Sequence, residues 1–335
     1  MIFRAAYLLL TTFLFATPLG AMAQQPIVIN FSHVAAADTP KGEGALRFKQ
    51  LAEERTKGRV QVNVYPNSAL FKDKEELEAL QMGSVQMLAP SVSKFTPMGI
   101  KEFEVFDLPY VTPDIESFHR VADSDFGKGL LKKLEPRGIK GLAYWDAGFR
   151  VITANRPIRK LADYKGLRIR INSSKVIEAQ IRSLGAIPQT MAFSEVYLGL
   201  QTGVVDGSET VLTNVYTQKF YEVQKHISLT HHTHQAYAIV TNKKFWEGLP
   251  PEIRTTLEGA VRDATTFVNA RVAVDEAESY EKIVASGRST IYKPTPAETA
   301  ELRQAMLKVH SDVEKRIGRD NMQAMYKAAG FNPGK

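Results

Sequence analysis

The chain has 335 residues, no cysteine, and 43 lysines and arginines against 36 aspartates and glutamates, which gives a net charge of +7. Without cysteine, disulfides, thiolate metal sites and cysteine nucleophiles are excluded. The basic residues are scattered without a run of five, which disfavours nucleic-acid binding, whereas the mild positive excess favours the attraction of small anions.

The N-terminal residues 1–23 predict an export signal. One basic residue precedes an apolar run at 5–16, proline and glycine interrupt the chain after it, and Ala21-Met22-Ala23 provides a small-x-small cleavage site. The run is short for a membrane span, although a retained anchor is the alternative. We therefore expect a mature chain that begins at Gln24 and is located in the periplasm.

The first part of the mature chain alternates strand and helix patterns. Apolar runs predict strands at 27–31, 60–64, 85–89 and 139–145, and amphipathic stretches predict helices at 43–56, 73–82, 114–121 and 126–135. Successive strands that are joined by a helix imply parallel pairing with a right-handed crossover. The predicted fold class is α/β, with an open sheet that binds ligands beyond the carboxyl ends of its strands.

A second region of the same kind follows. Strands are predicted at 167–171, from 187, near 227 and at 237–240, and helices at 174–184, 193–202 and from about 211. Residues 252–285 contain no proline and a single glycine, so they predict one helix of roughly 50 Å, long enough to brace two domains. A strand at 290–292 and helices at 296–317 and 322–329 complete the chain.

Polar residues stand where such sheets would present them to a cleft. Arg150 and Arg170 each lie at the edge of a short apolar strand, and a planar, permanently charged guanidinium matches a carboxylate. His33, Ser91 and Asn214 occupy comparable places. Each residue alone could be an ordinary surface or structural residue. Together they indicate a positively charged pocket for an acidic small molecule.

Catalytic machinery is not recognisable in the sequence. The chain contains no GxSxG, HExxH or glycine-rich phosphate loop. Three histidines lie close together at 231, 232 and 234, but adjacent strand residues point to opposite faces, so at most His232 and His234 share a side. We expect no catalytic residues, no metal and no cofactor, and we keep a periplasmic metal-dependent hydrolase as the alternative from another class.

Ordered segments between about residues 27 and 250 resemble the solute-binding proteins of tripartite ATP-independent periplasmic (TRAP) transporters, of the DctP type. They include FSHVAAADTPKG, FEVFDLPY, GFRVITANRPIRKLADYKGLRIR and LGAIPQTMAFSEVYLGLQTGVVDGSET. The resemblance implies a two-domain periplasmic-binding-protein clamp with a long helix spanning both domains. Domain I is expected at 24–148 plus about 236–270, and domain II at 149–235 plus about 271–335.

The resemblance also implies roles for individual residues. The arginine of the KGLRIR segment forms a bidentate salt bridge to the ligand carboxylate, here Arg170. The arginine of the GxR segment assists, here Arg150, and an asparagine after the VDG segment hydrogen-bonds the ligand, here Asn214. One departure is Ser208, where many relatives carry glutamine.

The SHV…TPKG and EFEVFDLP segments resemble the branch that takes C4-dicarboxylates such as succinate, fumarate and malate. A second carboxylate would need partners from the first domain, and we predict His33, Ser91 and Lys94, with Lys41 and Lys72 as outside candidates. The implied partners are the TRAP membrane permease subunits, and the protein is expected to be a monomer. A ligand sensor for a histidine kinase shares this binding chemistry and remains an alternative.

Overall fold

The computed structural model describes residues 25–333. The predicted export signal at 1–23 lies outside the described residues. Within the described part of the chain, no helix combines the length and the apolar character that crossing a bilayer requires.

The first half of the chain begins with the predicted alternation of strands and helices. Its elements are β1 (Ile27–Ser32), α1 (Pro40–Arg55), β2 (Val60–Tyr65), α2 (Glu76–Met82) and β3 (Met87–Leu88). Strand β1 pairs in parallel with both β2 and β3, so the carboxyl ends of these strands lie at one edge of the sheet. Helix α1 begins earlier than predicted, because Pro40 suits the first turn and the Thr39 hydroxyl accepts the Gly42 N–H at 3.1 Å.

A single long strand connects the two halves of the molecule. After α3 (Ile115–Asp123) and α4 (Asp125–Lys132), strand β4 runs for 16 residues, Ile139–Ala154. Its first part pairs antiparallel with β9 (His234–Asn242), and its last part pairs with β7 (Gly207–Val211) and β8 (His226–Ser228). The sequence predicted that the strand would end at 145, with Arg150 at a strand edge. That placement is wrong, because Arg150 lies inside β4, paired opposite Val211.

The second half builds its own parallel unit. It contains β5 (Arg168–Ile171), α5 (Lys175–Ser183), β6 (Ile187–Thr190), α6 (Val196–Gln201), α7 (Leu212–Thr217) and α8 (Phe220–Val223), and α9 (Lys243–Glu247) follows β9. Strand β5 pairs in parallel with β6 and β7. The strand order is β2-β1-β3-β9-β4-β7-β5-β6, with β8 beside β4. The carboxyl ends of β1, β3 and β5 therefore border the region between the halves.

The predicted long helix is confirmed as α10 (Pro251–Ser286), with 36 residues. Its first part packs in one apolar core with α1 and β9, whereas Ile283 near its end packs in a core of the second half. Beyond it lie β10 (Thr290–Tyr292), α11 (Pro296–Leu307), α12 (Val309–Ile317) and α13 (Arg319–Ala329). The predicted single helix at 296–317 is therefore wrong, since it consists of two helices that meet at Lys308.

The C-terminal helices pack against the first half of the chain. Val313 of α12 and Met325 of α13 share an apolar core with Phe103 and Phe118. The sequence predicted that residues 271–335 belong to domain II, whereas α12 and α13 pack against residues of the predicted domain I. The division into two domains with those bounds remains a prediction.

Ionisable groups are buried where β4 meets α10. Asp146 accepts the Gly148 N–H at 2.8 Å and bonds His234. Although burial opposes it, the charge of His234 and these hydrogen bonds hold the pKa of Asp146 below its ordinary value. Gly148 has a φ of 87° and leaves room for Glu276 of α10. Burial and the charge of Asp146 raise the pKa of Glu276 to about 7.

The raised pKa of Glu276 predicts a pH-dependent stability. The native state holds this proton up to about pH 7, whereas the unfolded chain releases it near the ordinary value of 4.5. The free energy of unfolding should therefore fall as the pH rises through this window, by up to about 3 kcal/mol from this group. Urea denaturation should show that Glu276→Gln gains stability relative to the wild type between pH 5 and pH 8. The exposed Glu281→Gln serves as the control, and parallel pH profiles would contradict the prediction.

The close approach of α1 to α10 gives a second prediction. A Cβ at Gly44 would lie 2.3 Å from the Val268 side chain and 2.9 Å from the Trp145 ring. Gly44→Ala should therefore reduce the free energy of unfolding by about 1–3 kcal/mol through overpacking. The matched control is Gly129→Ala in α4, where no described atom lies within 4 Å of the new Cβ. That change should be neutral or stabilising, by up to about 1 kcal/mol, and equal effects of the two substitutions in urea denaturation would refute the packing argument.

Candidate ligand-binding site

A small cavity of about 30 Å³ lies between the two halves of the chain, at the edge where β1, β3 and β5 end. The first half lines it with Val34, Ala35, Lys41, Asp73, Ser91 and Lys94. The second half and β9 line it with Arg170, Asn172, Phe193, Thr210, Asn214, Gln235 and Tyr237. The position agrees with the rule that open α/β sheets bind ligands beyond the carboxyl ends of their strands.

Arg170 is the principal charged group of the second half. Strand alternation buries Ile169 and Ile171 in the apolar core and turns Arg170 to the cavity side. Its Nε and Nη2 donate to the Met191 carbonyl at 3.1 and 2.9 Å. The side chain is only 3% exposed, and burial lowers its pKa. Among residues 25–333 no carboxylate lies within 4.0 Å of this guanidinium, so its charge is available to an anion.

Lys94, by contrast, already has two counter-charges. Its Nζ bonds Asp73 and lies 2.7 Å from the Glu76 carboxylate. Burial opposes ionisation, but these two carboxylates raise the pKa of Lys94 above its ordinary value. The second carboxylate oxygen of Asp73 accepts the N–H of Phe193, a residue of the second half. Asp73 therefore joins the two halves beside the cavity.

Lys41 presents a different arrangement. It lies in the first turn of α1 and is 2% exposed. Its Nζ donates to the Ala89 carbonyl at 3.3 Å and lies 3.7 Å from the centre of the Tyr237 ring. Burial and the charge of Lys94 lower the pKa of Lys41 to about 7.

Neutral polar groups complete the lining. Asn214 donates to the Thr210 hydroxyl at 3.2 Å, and Asn172 donates to the Ser91 hydroxyl at 3.4 Å. The latter bond crosses from the second half to the first. Tyr237 accepts a hydrogen bond from Gln235 at 2.7 Å. The cavity thus offers donors and acceptors around its charged groups.

Two predicted site residues lie outside this lining. Arg150 is 1% exposed, donates to Glu209 at 2.8 Å and lies 3.6 Å from Asp107. Although burial opposes it, the charge of Arg150 together with His232 and Arg170 holds the pKa of Glu209 below its ordinary value. His33 is fully buried, and burial with the charge of Lys41 lowers its pKa to about 3. The outside candidate Lys72 is exposed.

A larger cleft of about 450 Å³ adjoins the cavity. Four residues line both spaces, namely Asp73, Lys94, Arg170 and Asn172. They therefore separate the small cavity from the outer cleft.

Several lining residues escaped the sequence analysis. Tyr237 and Gln235 lie in β9, far along the chain from the first strands, and Thr210 lies in β7. The one available signal was position, because Asn172 follows β5 as Ser91 follows β3. A systematic search of strand ends would have found Asn172, whereas only the sheet order brings β9 to the cavity.

The histidine cluster does not assemble a metal site. His231 lies 3.8 Å from Glu276, His232 lies 3.7 Å from Glu209, and His234 bonds Asp146. The three side chains thus face three different carboxylates. Within the described residues, no group of three histidines or carboxylates is arranged to hold a metal ion.

Two α/β halves that share a long helix and enclose a charged cavity are the architecture of a solute-binding protein. The sequence pattern of the family described as bacterial extracellular solute-binding protein, family 7 (DctP), matches residues 31–316. The chain belongs to this family. The predicted family and the two-domain α/β fold class are therefore confirmed.

Characterised relatives cover nearly the whole chain. The C4-dicarboxylate-binding periplasmic protein DctP of Rhodobacter capsulatus is 50% identical over 301 residues, 90% of each chain. A TRAP periplasmic solute-binding protein from Shewanella oneidensis, solved with bound succinate, has a TM-score of 0.88 and 39% identity over 91% of this chain and 99% of that chain. A TRAP protein from Pseudomonas aeruginosa, solved with bound L-malate, has a TM-score of 0.84 and 41% identity over 86% and 100%.

The buried ion pair behind the cavity predicts a large structural effect. Glu209→Ala leaves the Arg150 guanidinium buried with only Asp107 near it, which should lower the free energy of unfolding by about 3–5 kcal/mol. The control is Glu278→Ala, which breaks an exposed pair with Lys282 and should be close to neutral. Chemical denaturation measures both, and a loss below about 1 kcal/mol for Glu209→Ala would show that Arg150 does not depend on this partner.

Proposed function

We propose that this protein is the periplasmic solute-binding protein of a TRAP transporter and captures C4-dicarboxylates such as succinate, fumarate or malate. The observation that carries the proposal is the buried Arg170 guanidinium, which lines the cavity between the halves without a carboxylate partner among residues 25–333. The relatives named above support the ligand class, since one is named for C4-dicarboxylates and two were solved with succinate and L-malate.

The proposed mechanism is capture by closure of the two halves. A carboxylate that binds Arg170 gains a bidentate, charge-assisted pair, which offsets the cost of removing both charges from water. The cavity holds only a few water molecules, at about 30 Å³, so the acid enters while the halves are apart. Closure around the acid then brings Phe193 toward Asp73 and Asn172 toward Ser91, the pairs that are in contact in this structure. Because the ligand favours the closed state, its binding shifts the population toward closure.

The supporting residues take distinct roles in this proposal. Arg170 grips one carboxylate, and Asn214 and Ser91 supply hydrogen bonds from opposite walls. Arg150 lies behind the wall, where its charge fixes Glu209. We retain His33 and Lys94 as proposed members of the site, acting through their neighbours Lys41 and Asp73.

The proposal extends to location and partners. Export through residues 1–23 would place the mature protein in the periplasm, where the ligand-bound monomer hands its acid to the membrane permease subunits of the transporter. The ligand would be released unchanged, so the proposal assigns no catalytic step.

A ligand panel tests the proposed function. Thermal unfolding of the mature protein is measured with succinate, fumarate, malate, 2-oxo acids, sugar acids and uncharged sugars, since any ligand that binds only the folded state raises the midpoint. We expect the C4-dicarboxylates to give the largest shifts. A larger shift from a sugar acid would keep the carboxylate site but overturn the ligand class, and no shift from any acid would overturn the function.

Substitution of the clamp residue gives a direct prediction. Arg170→Ala should weaken succinate binding by about 2–5 kcal/mol, because one ligand carboxylate is then buried without a partner. Isothermal titration measures the change, with Arg182→Ala, an exposed arginine of α5, as the control that leaves affinity unchanged. A loss of less than about tenfold for Arg170→Ala would refute the assignment of this residue.

A further inference from the structure

The three cations that line the small cavity differ in what balances their charge. Lys94 is paired with Asp73 and Glu76. In the described part of the chain, neither Lys41 nor Arg170 has a carboxylate within 4.0 Å. The first half and the second half therefore each contribute one buried cation that has no carboxylate of the described residues in direct contact with it.

The position of Lys41 is unfavourable for a cation. It occupies the first turn of the 16-residue helix α1, where the helix dipole is positive and favours anions. It is 2% exposed, so water screens its charge poorly. Its two neighbours are a carbonyl oxygen and an aromatic face, which satisfy one hydrogen bond and offer a weak attraction. A carboxylate in the cavity would relieve all three costs.

We propose that Lys41 binds the second carboxylate of the ligand while Arg170 binds the first, so that Lys41 determines the preference for dicarboxylates over monocarboxylates. The inference rests on the proposed function and adds to it the residue that sets specificity. From sequence alone, Lys94 is the predicted receptor for the second carboxylate and Lys41 an outside candidate. The two carboxylates already on Lys94 reverse that order.

The same geometry couples binding to proton uptake. The groups that act on Lys41 are Lys94, Glu76, Asp73 and His33, and Tyr237 packs against it. Burial first, and then the charge of Lys94, lower the pKa of Lys41 to about 7. A carboxylate placed beside the amine favours its charged form, so ligand binding should draw a proton onto Lys41 near neutral pH.

The test compares ligands that differ by one charge. Isothermal titration is run on the wild type, Lys41→Gln and Lys41→Met with succinate, with its monoamide succinamate, and with butyrate. The wild type should prefer succinate to succinamate by at least about tenfold. Both variants should lose most of that preference, because succinate weakens while succinamate and butyrate change by less than about threefold. Lys74→Met, which lines only the outer cleft, is the matched control and should retain the preference.

The outcomes separate this inference from the proposed function. If the wild type binds succinate and the Lys41 variants keep the preference over succinamate, Lys41 is not the receptor and the function stands. If the wild type binds no dicarboxylate, the proposed function itself fails.

A second measurement does not depend on how the variants fold. Titration of the wild type with succinate at about pH 7.5, in buffers of different ionisation enthalpy, should show uptake of roughly half a proton or more. The absence of proton uptake would refute the coupling of ligand binding to protonation of Lys41.

Discussion

The cost of burying a positive charge without a counter-charge is the constraint on which the rest of this site depends. A guanidinium removed from water needs a partner of opposite sign or a set of hydrogen bonds. For Arg170 the protein supplies only part of this, through the Met191 carbonyl. In the proposed function, a carboxylate of the solute meets the remaining requirement. The same constraint explains why the neighbouring buried cations Arg150 and Lys94 are paired with carboxylates.

The scaffold fixes these charges on two bodies that are joined by continuous elements. Strand β4 pairs with β9 in the first half and with β7 in the second, and α10 contributes to the apolar core of each half. Such elements keep the sheet edges facing one another while they leave the cavity between the halves. The β4 bulge between Asp146 and Phe149, with Gly148 at positive φ, lies where the strand passes from one half to the other. A change in the angle between the halves has to be absorbed in segments of this kind.

The sequence predicted those features that arise from local pattern. The apolar run at 167–171 predicted the strand that carries Arg170, and the absence of proline at 252–285 predicted α10 nearly to its ends. The sequence-based prediction was wrong where strand pairing determines the bounds of an element. Strand β4 continues through Gly148 because β7 and β8 pair with it, and the residues near Gly148 contain no pattern that predicts this pairing. The helix break at Lys308 has no proline or glycine to mark it, and it is tertiary packing that turns α12 toward the first core.

The sequence alone also could not predict which cations around the cavity are paired with carboxylates. The sequence favoured Lys94 over Lys41 as an anion receptor, and only the contacts of Lys94 with Asp73 and Glu76 reverse that order. Lys94, being paired, has a structural role instead. By holding Asp73 in place it directs the free oxygen of that carboxylate at the Phe193 N–H across the cleft. Lys94 thus helps to join the halves through Asp73, whereas the role that we propose for the unpaired Lys41 is to recognise the solute.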